Sequence, residues 1–164
     1  MHKLTGLFAC ALLAACQTPE PISRFRNPTA PIWSNAQFDL SRLPGRWRQS
    51  ATFAMTRSGC TPGGAEIQRT GNGFVIAARL CLDGKDTALA GPLTVSGPGR
   101  FQVAGQEWWV IWVDTDYRTL AIGTPSGAFG FVLNRGGALP PDRLRAAREI
   151  FDFNGYDLRN LETY

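Results

Sequence analysis

"EWWVIWVDTDYRTLAIG", residues 107–123, places three tryptophans within five positions and then runs into a short acidic turn. Successive side chains of a strand point to opposite faces, so Trp108, Val110 and Trp112 are expected on one face and Trp109, Ile111 and Val113 on the other. A segment apolar on both sides must be covered on both sides. A parallel strand between helices, a barrel wall with something packed outside it, and a membrane surface all satisfy that condition. The flanking sequence separates them.

Turn signals recur through the middle of the chain: Thr61-Pro62-Gly63-Gly64, Gly71-Asn72-Gly73, Asp83-Gly84, Ser96-Gly97-Pro98-Gly99, Ala104-Gly105, Asp114-Thr115-Asp116 and Pro125-Ser126-Gly127. Strand-like segments lie between them at 46–54, 63–70, 74–82, 85–95, 100–104, 107–113, 117–124 and 128–135. Short strands with hairpin-sized connections indicate an all-β, eight-stranded up-and-down antiparallel barrel. Parallel strands would need crossover connections of roughly a dozen residues, and there is no room for them. One C-terminal helix follows, started by Pro140-Pro141-Asp142 and stopped by Asn154-Gly155. Its Leu144, Ala147, Ile150 and Phe151 recur at helical spacing, with Arg143, Arg145 and Arg148 expected on a solvated face. Such a helix needs an apolar surface to sit on, and the outer face of the opening strand supplies one.

The chain begins with a basic start, His2 and Lys3, and a 12-residue apolar run from Leu4 to Ala15. A span of the bilayer needs roughly 20 residues, so this run reads as a signal peptide. It ends in Leu13-Ala14-Ala15-Cys16, which resembles the lipobox of bacterial lipoproteins, with Cys16 as the acylated residue. By that resemblance Gln17 favours an outer-membrane lipoprotein facing the periplasm. The organisation expected is then a signal at 1–15, an acylated N-terminus and Pro-rich tether at 16–31, and one domain at 32–164. Removing residues 1–15 from 164 leaves 149 residues and lowers the net charge from +4 to +3. That mild, scattered excess gives no reason to expect nucleic acid.

The single histidine, His2, leaves with the signal. A mature chain without histidine excludes Ser-His and Cys-His catalysis, a proximal haem histidine and a His-based zinc site. With Cys10 also lost and Cys16 acylated, Cys60 and Cys81 remain, nearly symmetric about the Gly71-Asn72-Gly73 turn. In an oxidising envelope a disulfide is the expected state, the alternative being two free thiols with a redox role.

Three short motifs then carry a resemblance. Phe38-Asp39 with Gly45-Arg46-Trp47, then Thr115-Asp116-Tyr117, then Arg135 closing "FGFVLNR", occur in this order with the helix after them. The chain resembles the lipocalins over roughly residues 31–160, and more narrowly the bacterial lipoprotein lipocalins. Each motif alone is weak; their order and spacing are specific. The resemblance implies that Trp47 and Arg135 meet as a plug at the closed end of a calyx, with the turn of Thr115, Asp116 and Tyr117 beside them. Arg48 and Gln49 stand where relatives more often carry Tyr and Glu.

Alternation along the strands then assigns a ligand cavity. Gln49, Ala51 and Phe53 are expected to point inward from the first strand, Trp108, Val110 and Trp112 from the sixth, and Phe129, Phe131 and Leu133 from the eighth. The seventh strand is small at Ala121 and Gly123, where it is expected to face the cavity. The interior so assigned is neutral and aromatic, suited to a fatty acid or lysophospholipid held by apolar burial. The alternative is a barrel filled by its own side chains, with outer loops such as 54–64 meeting a partner. An enzyme is not expected, and neither a cofactor nor a metal is called for. Asp83, Asp86, Asp114 and Asp116 lie in or beside turns, and the Gly-rich pieces "SGPGRF" and "TPSGAFG" are hairpin turns without a following helix.

Overall fold

The computed structural model describes residues 25–56 and 59–164. Eight strands follow one another as a meander: β1 (Gly45–Phe53), β2 (Gly64–Thr70), β3 (Gly73–Leu82), β4 (Lys85–Gly97), β5 (Arg100–Val103), β6 (Gln106–Val113), β7 (Thr119–Gly123) and β8 (Gly130–Asn134). Each pairs antiparallel with the next, and β1 pairs with both β8 and β2, which closes the barrel. The turns sit where Gly and Asx residues place them, with positive φ at Asp83, Gly84, Gly99, Ala104 and Gly105. Helix α1 (Pro141–Phe153) begins and ends within a residue of the signals that predict it, and Gly155 takes the left-handed conformation after it. A ninth strand, β9 (Leu161–Thr163), was not legible in the sequence; it adds to the upper half of β1, opposite β8.

The wall between β1 and β3 is built in an unusual way. β2 covers only Gly45–Arg48 of β1. Above that level Gln49 bridges directly to β3. Its Nε2 donates to Cys81 O at 2.8 Å and its Oε1 accepts from Cys81 N at 2.8 Å, while Thr52 Oγ1 donates to the same carbonyl at 2.9 Å. Cys81 is also disulfide-bonded to Cys60, with Cα atoms 5.7 Å apart, so the expected bridge is present. It ties the β1–β2 loop to β3 across a separation of 21 residues. Replacing both cysteines by alanine is expected to cost about 3 kcal/mol, read as a lower urea midpoint at unchanged slope.

The structure has two apolar cores, one on each side of the wall. The inner core holds Trp47, Ile67, Ile76, Leu80, Phe101, Val103, Trp108, Val110, Leu120, Ile122, Phe131 and Leu133, among others. The outer core lies under α1 and holds Phe25, Ala51, Phe53, Ile111, Ala121, Val132, Ala147, Phe151 and Tyr156. Phe53 is its hub, with ring centroids 4.9 Å from Phe151, 4.9 Å from Tyr156 and 5.9 Å from Phe25. The small residues of β7 and β8 make room for it: the Tyr156 ring lies where side chains at Gly123 and Gly130 would stand. Its hydroxyl donates to Phe129 O at 2.9 Å and accepts from Thr124 N at 2.8 Å, and burial holds its ionisation well above the ordinary tyrosine range.

Two expectations change here. The tether was expected to run to Pro31, but the chain is docked from Phe25 onward, because the Phe25 ring, 1% exposed, completes the outer core. Arg143 was expected on a solvated face; its side chain is only 15% exposed. Its Nη1 donates to Thr119 Oγ1 at 3.0 Å and lies 4.0 Å from Asp114 Oδ2, locking the first turn of α1 to the β6–β7 corner. Arg145 and Arg148 are exposed. The signal at 1–15, Cys16 and the first part of the tether lie outside the described residues.

Candidate ligand-binding calyx

One end of the barrel is closed by the residues that the motifs pick out. The Arg135 guanidinium lies over the Trp47 indole at 3.9 Å from the ring centre. Its Nη2 donates to the carbonyls of Arg42, Leu43 and Pro44 at 2.9, 2.8 and 2.8 Å, and Trp47 Nε1 donates to Leu43 O at 3.0 Å. Gly45, at φ +129, passes directly beneath the guanidinium, and a methyl group on its α-carbon would stand 3.6 Å from Arg135 Cζ. Burial first, and the charge of Arg42 second, lower the Arg135 pKa from its ordinary value. The turn at Thr115, Asp116 and Tyr117 belongs to the same end: Tyr117, at φ 57, accepts from Asp39 N at 2.6 Å and stacks under Arg42 at 4.0 Å. Phe38 fills the remaining gap, 5.5 Å from Tyr117 and 5.8 Å from Phe101. Lysine at 135 keeps the charge but loses the planar stack and the fork of donors. Arg135→Lys is therefore expected to cost about 1–2 kcal/mol, checked by urea unfolding.

Of the nine residues assigned to the cavity, the structure turns six inward. Trp108, Val110, Phe129, Phe131 and Leu133 belong to the inner core, with Trp108 edge-on to Phe131 at 5.0 Å and Phe129 5.9 Å from Phe131. Gln49 also points inward, but both ends of its amide are taken up by Cys81, so it closes the wall rather than offering itself to a ligand. Ala51, Phe53 and Trp112 are corrections: all three pack outside, against α1 and its neighbours. The cause is a bulge in each strand. Ser50 is an extra residue between the pairs Gln49↔Leu133 and Ala51↔Val132, and Ile111 is extra between Val110↔Ile122 and Trp112↔Ala121. Each bulge reverses alternation beyond it. Thr52 and Val113 therefore face in, and Ile111 and Trp112 both face out. The seventh strand is corrected with them, since Leu120 and Ile122 face in while Ala121 and Gly123 face the outer core.

Two consequences follow for chemistry. Among the described residues Arg26 is the one charged side chain that is buried, and it lies outside the barrel, donating to the carbonyls of Asn154, Pro125 and Ala30. The four aspartates in or beside the turns have local structural roles. Asp83 accepts from Met55 N, Asp86 pairs with Arg79 at 2.6 Å, Asp114 accepts from Arg118 N and Thr119 N, and Asp116 pairs with Arg118 at 3.1 Å.

A closed antiparallel calyx of eight strands, sealed at one pole and with one helix packed on its wall, defines a class built to hold a small ligand in its interior. This chain belongs to that class by sequence as well: the family model for the lipocalin-like domain matches residues 38–164, and the chain is a member of that family. Solved structures agree on the fold. A major allergen of cockroaches, Per a 4, is similar at 10% identity and a TM-score of 0.58, over 84% of this chain and 94% of that one. Insecticyanin from the tobacco hornworm Manduca sexta is similar at 16% identity and a TM-score of 0.57, over 82% and 84%. Lobster apocrustacyanin A1 is similar at 17% identity and a TM-score of 0.55, over 75% and 77%. No protein of curated function matches the chain by sequence. The lipocalin fold is in general a fold of binding and transport proteins, suited to small hydrophobic ligands.

Proposed function

We propose that this protein is a lipid-anchored envelope lipocalin, held at the outer membrane of a bacterium through acylated Cys16. It binds a small hydrophobic molecule, a fatty acid or lysophospholipid, for storage, transport or scavenging. The observation that supports this reading is the inward aromatic set Trp108, Phe129 and Phe131, in a barrel whose opposite pole is sealed. An acyl chain laid against such a surface gains ~25 cal/mol per Å² of apolar area removed from water. The test is a titration of the mature protein with palmitate and lysophosphatidylcholine, following tryptophan emission, with native mass spectrometry to count ligands. A saturable change with one lipid per protein is expected, and a flat signal with only empty protein would overturn it.

One observation favours a second reading, in which the barrel is filled by its own side chains and serves as a rigid interaction module. A cavity leaves the side chains that line it bare. Val103, Val110, Leu120, Phe131 and Leu133 expose 1% of their surface or less. A ligand must therefore displace side chains, which subtracts from the gain of burial. The same titration separates the two readings.

A further inference from the structure

We propose that the face around the turn 154–157 docks on a lipid bilayer, so that the open rim of the barrel faces the membrane; the inference rests on acylation at Cys16. The first described residues are fastened to that turn. Asp157 N donates to Phe25 O at 2.8 Å, Asn27 N donates to Gly155 O at 2.8 Å, and Arg26 bridges to Tyr156. Phe25 N also donates to Gly127 O, in the β7–β8 turn at the open rim. The chain therefore leaves the domain beside the rim and away from the pole sealed by Trp47 and Arg135. Eight residues separate Phe25 from Cys16. Fully extended, that stretch reaches at most about 30 Å, so an acylated Cys16 keeps this face of the domain close to the bilayer.

Among the described residues, the same region carries most of the large apolar side chains left in water. Phe153, at the end of α1, is 69% exposed. Trp33 is 58% exposed, and its main-chain N–H donates to Asn154 Oδ1 at 2.7 Å, which sets it beside the same turn. Met55, 58% exposed, follows Ala54, whose N–H donates to Asn160 O at 3.0 Å. An exposed indole and a phenyl ring next to an anchored terminus have a favourable place at the headgroup boundary, where aromatic side chains concentrate. The exposed Arg159 is already paired with Asp157 at 2.7 Å, so docking rests on apolar insertion and is expected to be insensitive to salt.

Trp33 reports the contact directly. The mature chain, as the cell processes it, is reconstituted on phosphatidylcholine vesicles whose acyl chains carry bromine at carbons 6 and 7. The emission lost in a Trp33→Phe variant isolates Trp33 from the more buried indoles. Bromolipid is expected to quench that component by about twofold or more, with the quenching reduced in Phe153→Ser and unchanged by salt. The mass of the N-terminal peptide reports acylation separately. An acylated, vesicle-bound protein whose Trp33 emission is unquenched would overturn the docking face while leaving the anchor intact. An unmodified Cys16 would remove the anchor; the chain is then joined to the bilayer by coupling the Cys16 thiol to a maleimide phospholipid. Quenching of Trp33 in that form would support the docking face without natural acylation, and its absence would overturn it.

Discussion

Phe131→Ala is expected to lower stability by about 3–5 kcal/mol and to create a cavity inside the barrel. Phe131 is fully buried on a strand paired on both sides, by β7 and by β1, so the backbone around it has little freedom to collapse. Its ring meets Trp108 edge-on at 5.0 Å and Phe129 at 5.9 Å, and the hydroxyl of Thr52, its inward cross-strand partner, is already committed to Cys81 O. The void should therefore stay dry and accept a small apolar guest. Urea unfolding with and without saturating benzene measures both parts, the expected result being a large loss that benzene partly restores. A loss below about 1 kcal/mol, with benzene stabilising the wild type as well as the variant, would mean that the wild-type interior already contains free space beside this ring. That result would move the balance between the two functional readings toward the ligand binder.

Phe151→Ala should cost a similar amount, about 3–5 kcal/mol, yet weaken a different part of the molecule. Phe151 is fully buried, edge-on to Phe53 at 4.9 Å and to Tyr156 at 5.1 Å. Truncating it removes the largest side chain by which α1 packs on the wall and, through Tyr156, the seat of the segment from Phe25 to Asn27. Native-state hydrogen exchange is the measurement that tells it from Phe131→Ala. Protection is expected to fall first in α1 and in residues 25–33 while the amides of β5–β8 keep theirs. Uniform loss across the barrel would show that the two cores unfold as one unit.

The architecture was legible because its signals are local. Gly73, the Asp83-Gly84 pair and Gly105 mark hairpins through left-handed backbone conformations that few other residues adopt, and all lie where the strands end. The plug was legible for a different reason, since Trp47 and Arg135 were brought together by motif order rather than by any pattern of hydrophobicity. What failed was alternation over distance. Counting from Trp47 reaches Gln49 correctly and fails at Ala51, because nothing in "RQSAT" marks Ser50 as the extra residue. In "VIWV" the bulge at Ile111 sits among residues that are apolar on either face, so an error in phase leaves the pattern looking the same. Strand β9 escaped for want of length: three residues after a short 3-10 turn carry no period.

The two bulges have a consequence for how a barrel like this one can change over generations. At Ser50 and Ile111 the wall absorbs one extra residue while the pairs on either side of it keep their partners and their faces. Losing a single codon at Ile111 would leave Val110, Trp112 and Val113 opposite Ile122, Ala121 and Leu120 in strict alternation, with Trp112 still under the helix and Val113 still in the lumen. The lining of the container and the grip on its helix are thus both insulated from the loss of a residue at these two points. A homologue one residue shorter at Ile111, with every other position unchanged, would line its lumen with the same side chains and lose only the bulge.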